Sequence, residues 1–82
     1  MGTNCDFIEF YNMAGTRFFG EFSCLEAAKP RLNELRAKGE LPAINHALLM
    51  YEYRRDMNHG YVRTGIKVIH YRNGWRIKKQ TH

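Results

Sequence analysis

Only one stretch of this 82-residue chain repeats its apolar residues at helical spacing. Leu25, Ala28, Leu32 and Leu35 fall on a single stripe of a helix over 24–38. Ser23-Cys24-Leu25-Glu26 has the spacing of a capping box, with Ser23 accepting from the third helical N–H and Glu26 reaching back to the Ser23 N–H. Pro30 cannot donate to Glu26 and crowds its carbonyl, so the spacing predicts either a kinked helix or a first turn with a restart at Pro30. Gly39 closes the segment, after Arg36 and Lys38, which suit the negative end of the helix dipole.

The remaining segments read as strands. Residues 5–11 and 16–22 are rich in strand formers and flank the turn Asn12-Met13-Ala14-Gly15, which makes a hairpin. Phe7 and Tyr11 lie on one face of its first strand and Ile8 and Phe10 on the other, so this hairpin lacks a simple solvent face. A third strand is read over 47–54, where a helix competes because Ala, Leu and Met favour it and Tyr51, Tyr53 and Arg54-Arg55 tip the balance to strand; a loop follows over Asp56–Gly60, a fourth strand over 61–71 with Gly65 as a possible bulge, and a fifth over Trp75–Lys79. The order β-β-α-β-β-β predicts one α+β domain, an antiparallel sheet with the helix packed on one face.

Asn73-Gly74 is the strongest local signal, a two-residue type I′ turn. It would set Arg72 opposite Trp75, Tyr71 opposite Arg76 and His70 opposite Ile77. Ile66, Val68, His70, Trp75 and Ile77 would then face the helix, and Lys67, Ile69, Tyr71, Arg76 and Lys78 would face outward. With Gly65 leaving the register unshifted, Tyr61 and Arg63 join the outward set.

Lys plus Arg number 13 and Asp plus Glu 8, a net charge of +5. Residues 1–28 hold Asp6, Glu9, Glu21 and Glu26 against Arg17 alone, whereas residues 54–79 hold eight bases against Asp56. The charge is thus polarised along the chain, which invites an anionic partner on the C-terminal half.

Signals of catalysis are sparse. So short a chain leaves little scaffold for a deep pocket. His46, His59, His70 and His82 are scattered, with no Cys-x-x-Cys, so neither a metal nor any other cofactor is expected. Cys24 begins a helix, where a thiol is acidified, but the sequence sets no base beside it. Cys5 and Cys24 are expected to be free thiols with structural roles. No Gly-rich phosphate loop precedes a helix. No apolar run reaches membrane-spanning length and the N-terminus lacks a signal-peptide pattern, so a cytoplasmic protein without a membrane partner is expected.

The residues expected to meet a partner are Tyr53, Arg54, Arg55, Tyr61, Arg63, Lys67, Tyr71, Arg76 and Lys78, because Tyr and Arg are enriched where binding energy concentrates. With its short motif-poor chain, strand–strand–helix–strand layout and polarised surface, the protein resembles small proteins encoded by phages and mobile elements, anti-CRISPR proteins among them. No residue motif carries the likeness. It implies a stoichiometric, non-enzymatic inhibitor in a host cytoplasm that occludes a host protein or ribonucleoprotein complex. A second class is a DNA- or RNA-binding domain using the same basic strands and Lys79. A third is a homodimer or other homo-oligomer formed at exposed strand edges.

Overall fold

The computed structural model describes residues 5–43 and 45–78, and for Lys78 the backbone only. The strand signals resolve into β1 (Phe7–Tyr11), β2 (Phe18–Phe22), β3 (Ala47–Asp56), β4 (Gly60–His70) and β5 (Arg76–Lys78), with one helix, α1 (Leu25–Ala37). Lys79 and His82 lie outside the described residues. The strands form one antiparallel sheet in the order β2-β1-β3-β4-β5. β1 sits between β2 and β3, so α1 must carry the chain across β1 to reach the next free edge. That crossover lays the helix on one side of the sheet.

The helix is continuous through Pro30, so it neither breaks nor restarts there. The expected capping box is not made. Cys24, in extended conformation, is the N-cap and makes no side-chain capping bond, and Ser23 Oγ contacts only Cys24 Sγ at 4.0 Å. Glu26 pairs forward with Lys29 at 2.9 Å. The register slips because Cys24 carbonyl takes the first helical bond, from Ala28 at 3.1 Å, leaving Ser23 one residue outside the cap position. The C-terminus follows expectation. Gly39, at φ 73°, donates to Arg36 carbonyl and Glu40 donates to Leu35 carbonyl. These two bonds satisfy carbonyls that the last turn leaves open.

Ala28, Leu32 and Leu35 on α1, with Leu41 beyond it, bury against Ile8, Phe10, Phe19, Leu48, Met50, Ile69 and Tyr71. Cys5 packs against this core and Cys24 is exposed, and both are free thiols. Two irregularities sort the side chains. In β2 a register shift near Gly20, at φ 139°, sends Phe19 into the core and Phe18 to the opposite face, beside Tyr11. In β4 the shift after Gly65 pairs Glu52 with Gly65 but Tyr53 with Arg63, the bulge expected at this glycine. A Cβ on Gly65 would stand 2.5 Å from Glu52 Oε1, so the glycine leaves room for that carboxylate to reach Lys67. The Lys67 Nζ–Glu52 Oε2 distance is 3.0 Å.

The terminal hairpin departs from expectation. Its register is His70↔Arg76, Ile69↔Ile77 and Val68↔Lys78, one residue away from that of a two-residue turn. A type I′ turn needs positive φ at both central residues. Gly74 has it (φ 114°) and Asn73 does not, so the turn spans more residues and β5 shifts. The faces of β4 are also the reverse of those expected. Ile69 is fully buried and Tyr71 is 1% exposed, both on the helix side, while Ile66 is 38% exposed on the other. The cause is pairing with β3: Leu48 opposes Ile69 and Met50 opposes Lys67, so the odd-numbered residues of this stretch join the core. Lys67 is accommodated on that side by its ion pair with Glu52, its side chain staying about a third exposed. The thirteen residues of α1, at about 1.5 Å each, span about 20 Å, whereas β3, with 10 residues, runs about 33 Å. The far end of the β3–β4 hairpin therefore overhangs α1, and Met57 at its tip is 98% exposed.

With Ile69 buried and Ile66 on the open side, Ile69→Ala loses about 2–5 kcal/mol of stability, whereas Ile66→Ala loses about 1 kcal/mol or less. Urea unfolding of the two variants measures both. Equal losses would contradict the assigned faces.

Candidate functional site: the uncovered face of the sheet

Strand alternation places Phe7, Glu9 and Tyr11 of β1, Leu49, Tyr51 and Tyr53 of β3, and Arg63, Ile66, Val68 and His70 of β4 on the side away from α1. Phe18 joins them at the β2 edge and Arg76, the register partner of His70, at the β5 edge. Among the described residues no helix or strand covers this side. A solvated antiparallel sheet face is ordinarily polar. Here most positions are aromatic or aliphatic.

The aromatic rings form two clusters of three on this face. Tyr11 touches Phe18 (5.3 Å between centroids) and Tyr51 (5.1 Å). Phe7 stacks on Tyr53 at 4.9 Å and meets Tyr61 edge-on at 4.8 Å. Such pairs contribute about 0.5–1.5 kcal/mol each beyond area burial. Both clusters nonetheless stay open at one end, with Phe18 52% and Tyr61 50% exposed. Arg63 lies over the Tyr51 ring at 4.9 Å and Arg55 over Tyr61 at 6.0 Å. The Arg55 N–H donates to Asp6 at 2.5 Å, which ties the chain entering β1 to the hairpin beneath Tyr61.

One carboxylate sits among these rings. Glu9 Oε1 accepts from Tyr11 Oη at 3.2 Å. Burial first, and then the neighbouring Glu9 carboxylate, hold the phenols of Tyr11 and Tyr53 above their ordinary pKa of 10.0. Glu21 is the register partner of Glu9 on β2. The face is therefore acidic toward β1–β2 and basic toward β4–β5, where Arg63, His70 and Arg76 lie.

The residues expected to meet a partner divide. Tyr53, Arg55, Tyr61 and Arg63 come together on this face. Arg76 shares the side but stands at its far edge. Arg54 pairs with Val62 on the helix side of the overhanging hairpin and is exposed. Lys67 also points to the helix side, toward Glu52. Tyr71 is buried, donates its hydroxyl to Pro42 carbonyl, and has no ring to offer a partner. Lys78 lies in β5, with only its backbone described. The outward grouping of Lys67, Tyr71 and Arg76 is thus not formed. Phe7, Tyr11, Phe18 and Glu9 belong to the site without having been singled out. Their signal was the first hairpin, apolar on both faces.

Among the described residues no three His, Cys, Asp or Glu side chains gather as a metal would require, and no helix is long and apolar enough to cross a membrane. Comparison with known proteins gives no match to a family model, a curated sequence or a solved structure.

Because the fold favours the neutral phenols, stability holds below pH 10.0 and falls as pH rises past it. Glu9→Gln lowers the midpoints of Tyr11 and Tyr53 toward the ordinary value without reaching it, since burial remains. A pH titration of labelled tyrosine ring carbons checks this, and unmoved midpoints would exclude Glu9 as a cause.

Proposed function

We propose that this chain is a non-enzymatic, stoichiometric binding protein that docks a partner protein on its uncovered sheet face. The observation that carries the reading is the pair of aromatic clusters on one face, Phe18–Tyr11–Tyr51 and Tyr53–Phe7–Tyr61. Large half-exposed rings beside arginines are the combination in which interface energy concentrates, because each side chain covers wide area and keeps a polar handle. An apolar surface of this kind, rimmed by charge, is uncommon on a protein that binds nothing.

An inhibitor's mode of action fits this surface. Covering part of a partner calls for a broad face rather than an enclosed pocket, and the small phage and mobile-element proteins that the chain resembles in size and layout work by such occlusion. A host protein or ribonucleoprotein complex is the class of partner implied.

The same rings and arginines would also suit stacking by single-stranded nucleic acid. Glu9 argues against it. A phosphate backbone crossing the rings would run over a carboxylate, with Glu21 beyond it, and like charges at that spacing repel. A protein partner can meet both signs.

A photo-crosslinking side chain tests this, placed at position 61 and, as control, at position 34 on the exposed side of α1. The expected result is a discrete protein adduct from host extract at 61 only, competed by excess unmodified protein. Combining Phe18→Ser with Arg63→Glu should weaken it about tenfold or more while the fold persists. An adduct with nucleic acid, a self-adduct of two copies, or equal adducts at both positions would overturn the proposal.

A further inference from the structure

At the β4–β5 end of the sheet His70, Arg72, Asn73, Gly74, Arg76 and Ile77 line an open groove of about 450 Å³. We infer that this groove is an anion-binding subsite that anchors a carboxylate side chain of an acidic segment on the partner protein. The inference rests on the reading of the adjoining face as a protein-binding surface and adds the partner's chemistry.

Three observations support it. First, the lining brings two guanidinium groups and an imidazole around one cavity, and among the described residues no carboxylate lies within ion-pairing distance of Arg72 or Arg76. Guanidinium forks match the paired oxygens of a carboxylate, and such charge-assisted bonds are stronger than neutral ones. Second, the groove is held on a fixed frame. Arg36 Nη2 donates to Arg72 carbonyl at 3.1 Å, and Trp75 Nε1 donates to Asn33 Oδ1 at 2.9 Å. The Tyr71 N–H donates to His46 carbonyl at 2.9 Å, and its ring lies against Trp75 at 5.2 Å. The turn is thus tied at its backbone and flanks to α1 and the core, while the arginine side chains that line the groove take no part in these bonds. Third, the groove continues the uncovered face, since His70 and Arg76 are register partners on that side.

A carboxylate suits the site better than a polyphosphate. The sheet order puts Glu9 and Glu21, on β1 and β2, across the face from β5. A nucleic-acid strand leaving the groove over the rings would meet those acids, whereas a protein can place an acid in the groove and a base or an apolar residue beyond it.

Titration of the full chain, nitrogen-labelled, with a blocked hexaglutamate peptide tests the inference, with inorganic phosphate and a short oligothymidylate as comparison ligands. The expected result is saturable shifts confined to residues 70–77, weakened about tenfold or more in an R72A/R76A double variant. That variant spares the Arg72 carbonyl bond, and its unchanged Tm would confirm an intact fold. Three results would overturn the subsite: no shifts with the peptide, shifts spread over every basic residue, or tighter binding of oligothymidylate than of peptide. Cross-linking at position 61 separates this proposal from the one it rests on. An adduct undiminished by R72A/R76A removes the groove and leaves the face. No adduct, with hexaglutamate still saturating residues 70–77, removes the face and leaves the groove.

Discussion

A 13-residue helix with one apolar stripe can cover one side of a sheet and no more, and the whole arrangement follows from that shortage. Ala28, Leu32 and Leu35 bury against the middle strands and close a single core. Five strands nevertheless have two faces. The second face, and the far end of the β3–β4 hairpin, must meet water or something else. In this chain they carry tyrosine, phenylalanine and arginine, side chains that tolerate partial exposure because each joins an apolar body to a polar or π-electron surface.

Local irregularities decide which residues serve which side. The shift in β2 splits two adjacent phenylalanines, giving Phe19 to the core and Phe18 to the open face. The bulge at Gly65 turns Tyr61 and Arg63 onto the same side as Tyr53 and makes space for the Glu52–Lys67 pair on the other. Tyr71 extends the core to the sheet's end. Buried beside Trp75 and hydrogen-bonded to Pro42, it ties the last turn to the segment that follows α1. Structural economy at this end leaves Arg72 and Arg76 on a fixed frame with their charges turned outward.

Element order, the helix stripe, the Gly39 terminus and the Gly65 bulge were legible because each has a local cause: spacing, a positive φ, or a missing Cβ. The phase of β4 was not. Ile66, Val68 and His70 alternate with Lys67, Ile69 and Tyr71, and either set reads as a core face when one lysine is taken as the mark of solvent. Pairing with Leu48 and Met50, distant in sequence, decided it. The Asn73-Gly74 signal misled in the same way: Asn73 keeps negative φ, so the strong dipeptide did not give the turn it usually forms. Tyr53, Arg55, Tyr61 and Arg63, marked out by residue type, share the uncovered face. Phe7, Tyr11 and Phe18 lie in the acidic half of the chain, where charge gives no sign of them and only the apolar residues on both faces of the first hairpin point their way.

On the proposed binding face the rings pack on one another, so less side-chain entropy would be lost on docking. Everything functional therefore turns on which tyrosines face solvent. Relaxation of tyrosine ring protons by a soluble, neutral gadolinium chelate in the free protein reads this directly. Strong relaxation at Tyr61, intermediate relaxation at Tyr11, Tyr51 and Tyr53, and near-complete protection of Tyr71 would agree with the account. A relaxed Tyr71 beside a protected Tyr61 would contradict it.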